Sequence, residues 1–380
     1  MINVACFKNI FKTSSTSIKW LGSLIILIVL ATVTFGDDAN HLDKPSSDFE
    51  VKSLAINLHY PNILYAGVFN SKYLDGLYKS VDGGAHWTYC GFGISGNVYQ
   101  IHFDPNDKSS VYVGTSNNIY RSTNEGRTWY EFGNTGFKAF NIFFQPTEPS
   151  SVIYLSTSSG LFVSTVEHTW KKVDVTFPSV SLYPVGTDPS NPDVVYLIMT
   201  KPNDVIIYIV DDAGTPYEWN EYGIYKSNNH GKTLEKVSSI KSDILLISPN
   251  NKNVMYGANG KKVLQSIDGG VSWKEKEISI IESSIVDLAI NPVNNNVLYA
   301  TTSYYREFGQ FVRKPEFSLS RIFKSTDGGE TWQKISDFPA IKIVIDPSNP
   351  NILYAGTPQM GIYKSTDAGK TWEAINNGIE

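Results

Sequence analysis

Ser325-Thr326-Asp327-Gly328-Gly329-Glu330-Thr331-Trp332 and Ser365-Thr366-Asp367-Ala368-Gly369-Lys370-Thr371-Trp372 are two copies of one phrase. Clear further copies start at Ser80, Ser122 and Ser266 and close on Trp87, Trp129 and Trp273, with Asp82 and Asp268 in the acidic slot of the first and last. The copy at Ser164 is one residue short, ending on Trp170, and the copy at Ser227 has Leu234 in place of Trp. A second phrase precedes each box, as in Asp346-Pro347-Ser348-Asn349-Pro350-Asn351 before the apolar run 352–356. It also occurs seven times, so two independent phrases give one count.

The last copy reads as an apolar run (341–345), a Pro/Asn turn, a strand (352–357), a short loop, a third strand (361–365), an Asp/Gly turn and a fourth strand from Trp372. Short β-branched and aromatic runs parted by Gly, Pro, Asn and Asp predict an antiparallel meander. The Asp-Gly-Gly step reads as a hairpin of the primed type, whose positive φ glycine supplies without steric cost. Box starts recur at 42, 42, 63, 39, 59 and 40 residues. Outside the two long gaps this is near the roughly 40–45 expected of a four-stranded propeller blade. One such sheet cannot bury both faces, whereas seven arranged radially can. The expected fold is all-β, a seven-bladed β-propeller of four-stranded antiparallel blades over residues 51–380.

The boxes match the SxDxGxTW pattern, and residues 51–380 resemble the Asp-box, or bacterial neuraminidase repeat, β-propellers. That superfamily includes sialidases, xyloglucan-cleaving glycoside hydrolases, sortilin-type receptors and photosystem II assembly factors. The degenerate boxes at Ser164 and Ser227 make blades three and four the weakest part of the match.

Residues 1–36 hold Lys8, Lys12 and Lys19, no acid, and an apolar stretch from Trp20 to Phe35. This reads as a secretory signal cut after Gly36, the rival being an uncleaved signal anchor, followed by a polar lead-in at 37–50. The expected location is secreted, periplasmic or cell-surface, with membrane contact only through an uncleaved leader. Cys90 is the one cysteine outside the leader. Net charge is −5, and removing the three leader lysines leaves −8, which argues against nucleic acid. No His pair stands at ligand spacing, so neither a metal nor another cofactor is expected.

In a meander the first and third turns of each blade share one face, and the second loop and the crossover share the other. The two long gaps are insertions in second loops, at about 201–222 and 303–320. Insertions on one face of a repeat array often mark its binding side. Candidate binding residues are Tyr217, Trp219 and Tyr222 in the first and Tyr304, Tyr305, Arg306 and Arg313 in the second. Trp219, the one tryptophan after the leader that closes no box, is either a stacking platform for a sugar ring or partner surface or packing for its own loop. Arg306, Arg313 and Arg321 would grip a carboxylate or phosphate bidentately, or pair with Glu307 and Glu316 as a solvated face. At the first-strand starts Ser53, Gln100, Asn141, Pro184, Ile244, Asp287 and Lys342 predict a mostly polar mouth, with Asp287 and Lys342 as an ion pair. The box residues themselves read as scaffold, since seven copies on seven blades are a fold device.

Sialidase activity is a poor fit, because the arginine triad of that family has no counterpart: every arginine lies in blade two or six. A xyloglucanase-like pair of acids would come from Asp211, Asp212, Glu218 or Glu221 facing Glu307 or Glu316, although those enzymes generally build their cleft between two propellers. The photosystem assembly factors match in size, although they tend to present basic patches. The expectation is an exported, non-catalytic, monomeric binding or assembly module for a protein or polysaccharide partner, with polysaccharide hydrolase as the alternative.

Overall fold

The computed structural model describes residues 49–379 except 70–73, 117, 133–138, 146–151, 158–159, 165–169, 174–180, 189–190, 201–207, 211–215, 219–221, 230–232, 279–282, 309–311 and 317–319. Seven antiparallel meanders follow one another along the chain. Blade 1 is built from Glu50–Ile56, Leu64–Phe69, Gly76–Ser80 and Thr88–Tyr89, and blade 7 from Lys342–Ile345, Leu353–Gly356, Ile362–Ser365 and Glu373–Ala374. First strands neighbour one another in sequence order, and that of blade 7 meets that of blade 1. The ring thus closes with no strand exchanged between its ends.

Buried side chains fall into seven clusters, one at each blade–blade interface. The box tryptophans wedge into these interfaces, and Trp129 and Trp372 donate their indole N–H to Cys90 O (2.7 Å) and Ile335 O (3.0 Å) of the preceding blade. The seam obeys the same rule, with Trp87 donating to Ile375 O at 2.8 Å. The uncertain blades conform as well. Leu234 packs between blades 3 and 4 where a tryptophan is missing, and Trp170 packs edge-on against Phe132 at 5.8 Å.

The Asp/Gly step is wider than a two-residue primed turn, because the third strand of blade 1 ends at Ser80 and the fourth begins at Thr88. Positive φ is nonetheless required, at 71° for Gly83 and 92° for Gly84, and the side chains of Ser80 and Asp82 close the longer loop. The Pro/Asn turns behave as read: Asp346 Oδ1 accepts from the amides of Ser348 (2.8 Å) and Asn349 (3.1 Å).

Both insertions carry strands. In blade 4, Tyr208–Val210 pairs with Pro216–Glu218 as a separate hairpin. In blade 6 the second strand runs on from Leu298 to Phe308 and pairs with Val312–Glu316. No helix among the described residues is long and apolar enough to cross a membrane.

Candidate functional site

The face carrying the boxes is committed to holding itself together. In each intact box the serine hydroxyl donates to the aspartate and accepts an amide, as in Ser365 Oγ to Asp367 Oδ1 (2.8 Å) and Gly369 N to Ser365 Oγ (2.8 Å). The other carboxylate oxygen accepts from Thr371 Oγ1 at 2.6 Å. Hydroxyl bonds first, then amide bonds, hold Asp268, Asp327 and Asp367 at about 2. At Asp82 slight burial pulls upward, yet the amide and ring of His86 bring it to about 2 as well. Blades 2 and 4 use Asn124 and Asn229 in the same bonds without charge.

Blades 1, 6 and 7 also grip the box of the next blade through the second-strand tyrosine and a lysine preceding their own box. Tyr65 Oη and Lys79 Nζ both donate to Glu125 O, at 2.7 and 2.9 Å. Tyr299 Oη and Lys324 Nζ converge on Ala368 O at 3.5 and 3.0 Å. At the seam Tyr354 Oη and Lys364 Nζ converge on Gly83 O at 3.2 and 2.8 Å. The cation also lies over the tyrosine ring, at 5.5, 5.4 and 5.3 Å in these three blades. Two grooves at the perimeter, of about 380 and 520 Å³, lie beside the first and last of these clamps and are lined partly by Lys79 and Lys364.

At the central mouth the first-strand residues lace neighbouring blades. Ser53 Oγ donates to Val98 O (3.2 Å), and Gln100 Oε1 accepts from Ile142 N (2.9 Å). Asp287 Oδ2 accepts from Ile343 N at 3.0 Å, while its Oδ1 faces Lys342 Nζ at 3.7 Å, forming the ion pair read from the sequence. Burial raises the Asp287 carboxyl, although Lys342 and the Ile343 amide pull it back. His102, two residues beyond Gln100, is pushed down to about 4 by burial and secondarily by the Lys342 charge. A bulge in the first strand precedes Ser53, Gln100 and Asp287 and re-aims each of them.

Of the insertion candidates, Trp219 lies outside the described residues, as do Asp211, Asp212 and Glu221. Tyr217 stands opposite Ile209 in the blade 4 hairpin. Tyr222 is half-buried with Lys241 Nζ 4.4 Å from its ring centre, a packing contact to the crossover into blade 5. Backbone register sets Tyr304 opposite Glu316, Tyr305 opposite Pro315, Arg306 opposite Lys314 and Glu307 opposite Arg313. Arg321 donates to Ser320 O at 2.6 Å. Among the described residues no group of three His, Cys, Asp or Glu could hold a metal ion.

Sequence reasoning passed over two aromatic pairs in blades 1 and 2. Phe92 is 73% and Tyr99 45% exposed. Tyr89 meets Phe92 edge-on at 4.9 Å, and Phe69 meets Tyr99 at 5.4 Å. Neither pair sits in an insertion, which is why a search for long gaps passed over them.

Comparison with known proteins adds two kinds of relative. Residues 224–379 match the family model described as photosynthesis system II assembly factor YCF48. Xyloglucanase Xgh74A of Acetivibrio thermocellus is 23% identical over 320 residues, 76% of this chain but 32% of the enzyme. The chain thus spans about a third of that curated relative's length. Among solved structures, a GH74 enzyme of Niastella koreensis superposes with a TM-score of 0.65 at 16% identity, covering 88% of this chain and 55% of the enzyme. YCF48 from Cyanidioschyzon merolae gives a TM-score of 0.58 at 13% identity, covering 86% of this chain and 98% of that one. With its seven boxed blades, the chain shares the β-propeller fold of these neighbours and resembles the Asp-box β-propellers.

Proposed function

We propose that this protein is an exported, non-catalytic binding or assembly module that engages a macromolecule through the face carrying the second loops. The observation that carries this reading is the division of labour between the faces. Box and turn side chains are spent on local and inter-blade bonds, whereas the opposite face bears both hairpins and the exposed aromatic rings. Size supports the same reading, since the chain aligns with nearly the whole of YCF48 but about half of the GH74 enzyme. One solved neighbour, with a TM-score of 0.50, is described as YCF48 bound to D1 peptide, which favours a protein partner.

Hydrolysis of a polysaccharide is the alternative, favoured by the alignment of 76% of the chain with a xyloglucanase. Incubating the purified chain with xyloglucan and a β-glucan panel and assaying reducing ends separates the two. No release is expected. Turnover abolished by replacing one acid of either insertion would overturn the binding reading.

A further inference from the structure

Blade 6 carries three hydroxyls where its interface with blade 7 is otherwise apolar. Thr301 stands opposite Ile322 in the sheet, and Ile322 shares a buried cluster with Phe338, Ile343 and Leu353. Paired residues of an antiparallel ladder share a face, so Thr301 points into the same interface. Ser303 follows by two residues and lies on that face as well. The ladder runs on through Thr302 N to Arg321 O at 3.1 Å, which sets Ser320 opposite Ser303. Thr301 and Ser320 are fully buried and Ser303 is 2% exposed, yet Thr301 Oγ1, Ser303 Oγ and Ser320 Oγ have no hydrogen-bond partner among the described residues.

Packing does not call for these groups. At the position of Thr301, two after the second-strand tyrosine, blades 1, 2, 5 and 7 have Gly67, Gly114, Ala258 and Gly356. A buried hydroxyl without a partner is destabilising, so three side by side imply a shared one. Same-face neighbours along a strand lie about 7 Å apart and directly opposite residues about 5 Å, a spacing that a water bonded to two or three groups can bridge. Asp287, opposite Thr301, is already taken, accepting from Ile343 N at 3.0 Å and facing Lys342. A multivalent cation needs several anionic oxygens, which the three hydroxyls do not supply. Their burial also admits neither a sugar nor a partner's side chain.

We infer that Thr301, Ser303 and Ser320 hold ordered internal water between blades 6 and 7, at the root of the blade 6 insertion. The water cross-links the strand that enters the insertion to the segment that leaves it. This is independent of the binding reading above. The test unfolds Thr301→Val, Ser303→Ala, Ser320→Ala and the triple variant of the full chain in urea. Long-lived internal waters are counted by magnetic relaxation dispersion of the solvent in wild type, Ser303→Ala and the triple variant. Each single change is expected to raise the unfolding equilibrium constant about fivefold, the loss of a net hydrogen bond, and the triple variant to hold fewer long-lived waters. Apolar replacements that raise the urea midpoint would mean that the hydroxyls are buried unpaired, and overturn the inference. An unchanged water count overturns it equally, and Ser303→Ala supplies that count where the triple variant does not fold. A wild-type midpoint higher in potassium or sodium chloride than in choline chloride at equal ionic strength, with the difference lost in Ser303→Ala, overturns it in favour of an alkali cation.

Discussion

Replacing Lys364 with Met removes one arm of the clamp that closes the ring. Its ammonium donates to Gly83 O at 2.8 Å and lies 5.3 Å from the Tyr354 ring centre, while Tyr354 Oη donates to the same carbonyl at 3.2 Å. Met retains most of the packing of the lysine stem, so the loss is chiefly the hydrogen bond and the cation–π contact. A bond to a charged donor contributes about 1.5–3 kcal/mol and a half-exposed cation–π contact about 0.5–1. Because Gly83 O keeps the tyrosine as a donor, the expected cost lies near the lower end, at about 2 kcal/mol. Tyr354→Phe alone removes a neutral bond and costs about 1 kcal/mol.

The double variant is the decisive one. With both donors gone, the buried carbonyl of Gly83 has lost both side-chain partners, and an orphaned acceptor adds about 1–3 kcal/mol that neither single change incurs. Urea unfolding followed by tryptophan fluorescence should therefore give a double-mutant loss exceeding the sum of the singles by at least about 1 kcal/mol. Lys79→Met, which breaks the matching contact to Glu125 O at 2.9 Å, should shift the midpoint in the same direction. A Lys364→Met loss below about 0.5 kcal/mol, or strict additivity, would refute the claim that this clamp holds the seam.

The box aspartates make stability depend on acid. With folded values of about 2 against an ordinary 3.8, Asp82, Asp268, Asp327 and Asp367 contribute fully above about pH 4, and that contribution is lost as pH falls towards 2. Changing all four to Asn, as blades 2 and 4 already have, should flatten the urea midpoint between pH 4 and 2.5; an unchanged slope would mean other carboxylates govern acid unfolding. Gly378→Ala should destabilise by roughly 2–3 kcal/mol in the same assay, because its φ is +93° and a Cβ there would lie 2.1 Å from Trp87 O. Lys342→Met should raise His102 above about 4 yet leave it below the ordinary 6.5, since burial is the larger cause; an NMR titration reaching 6.5 would reverse that order.

The blade count, the ring and the Asp287–Lys342 pair were legible because each depends on residues at fixed steps within a repeat. The clamps were present in the same letters, as Lys79, Lys324 and Lys364 each stand one place before a box serine. Their meaning was hidden because the acceptor is a backbone carbonyl of the next blade, and a carbonyl has no letter. The clamp also bears on closure. Where six of seven interfaces carry the same tryptophan wedge and most carry the same cation over a tyrosine, the seam between blades 7 and 1 needs no exchanged strand, since Gly83, Trp87, Tyr354 and Lys364 repeat there what Glu125, Trp129, Tyr65 and Lys79 do between blades 1 and 2. The aromatic pairs were missed for a different reason. An insertion announces itself by length, whereas Phe69 and Phe92 occupy ordinary positions within their repeat. In a repeat protein, scaffold is what the copies share, so the place to seek function is any position where one copy breaks rank without being shielded from water.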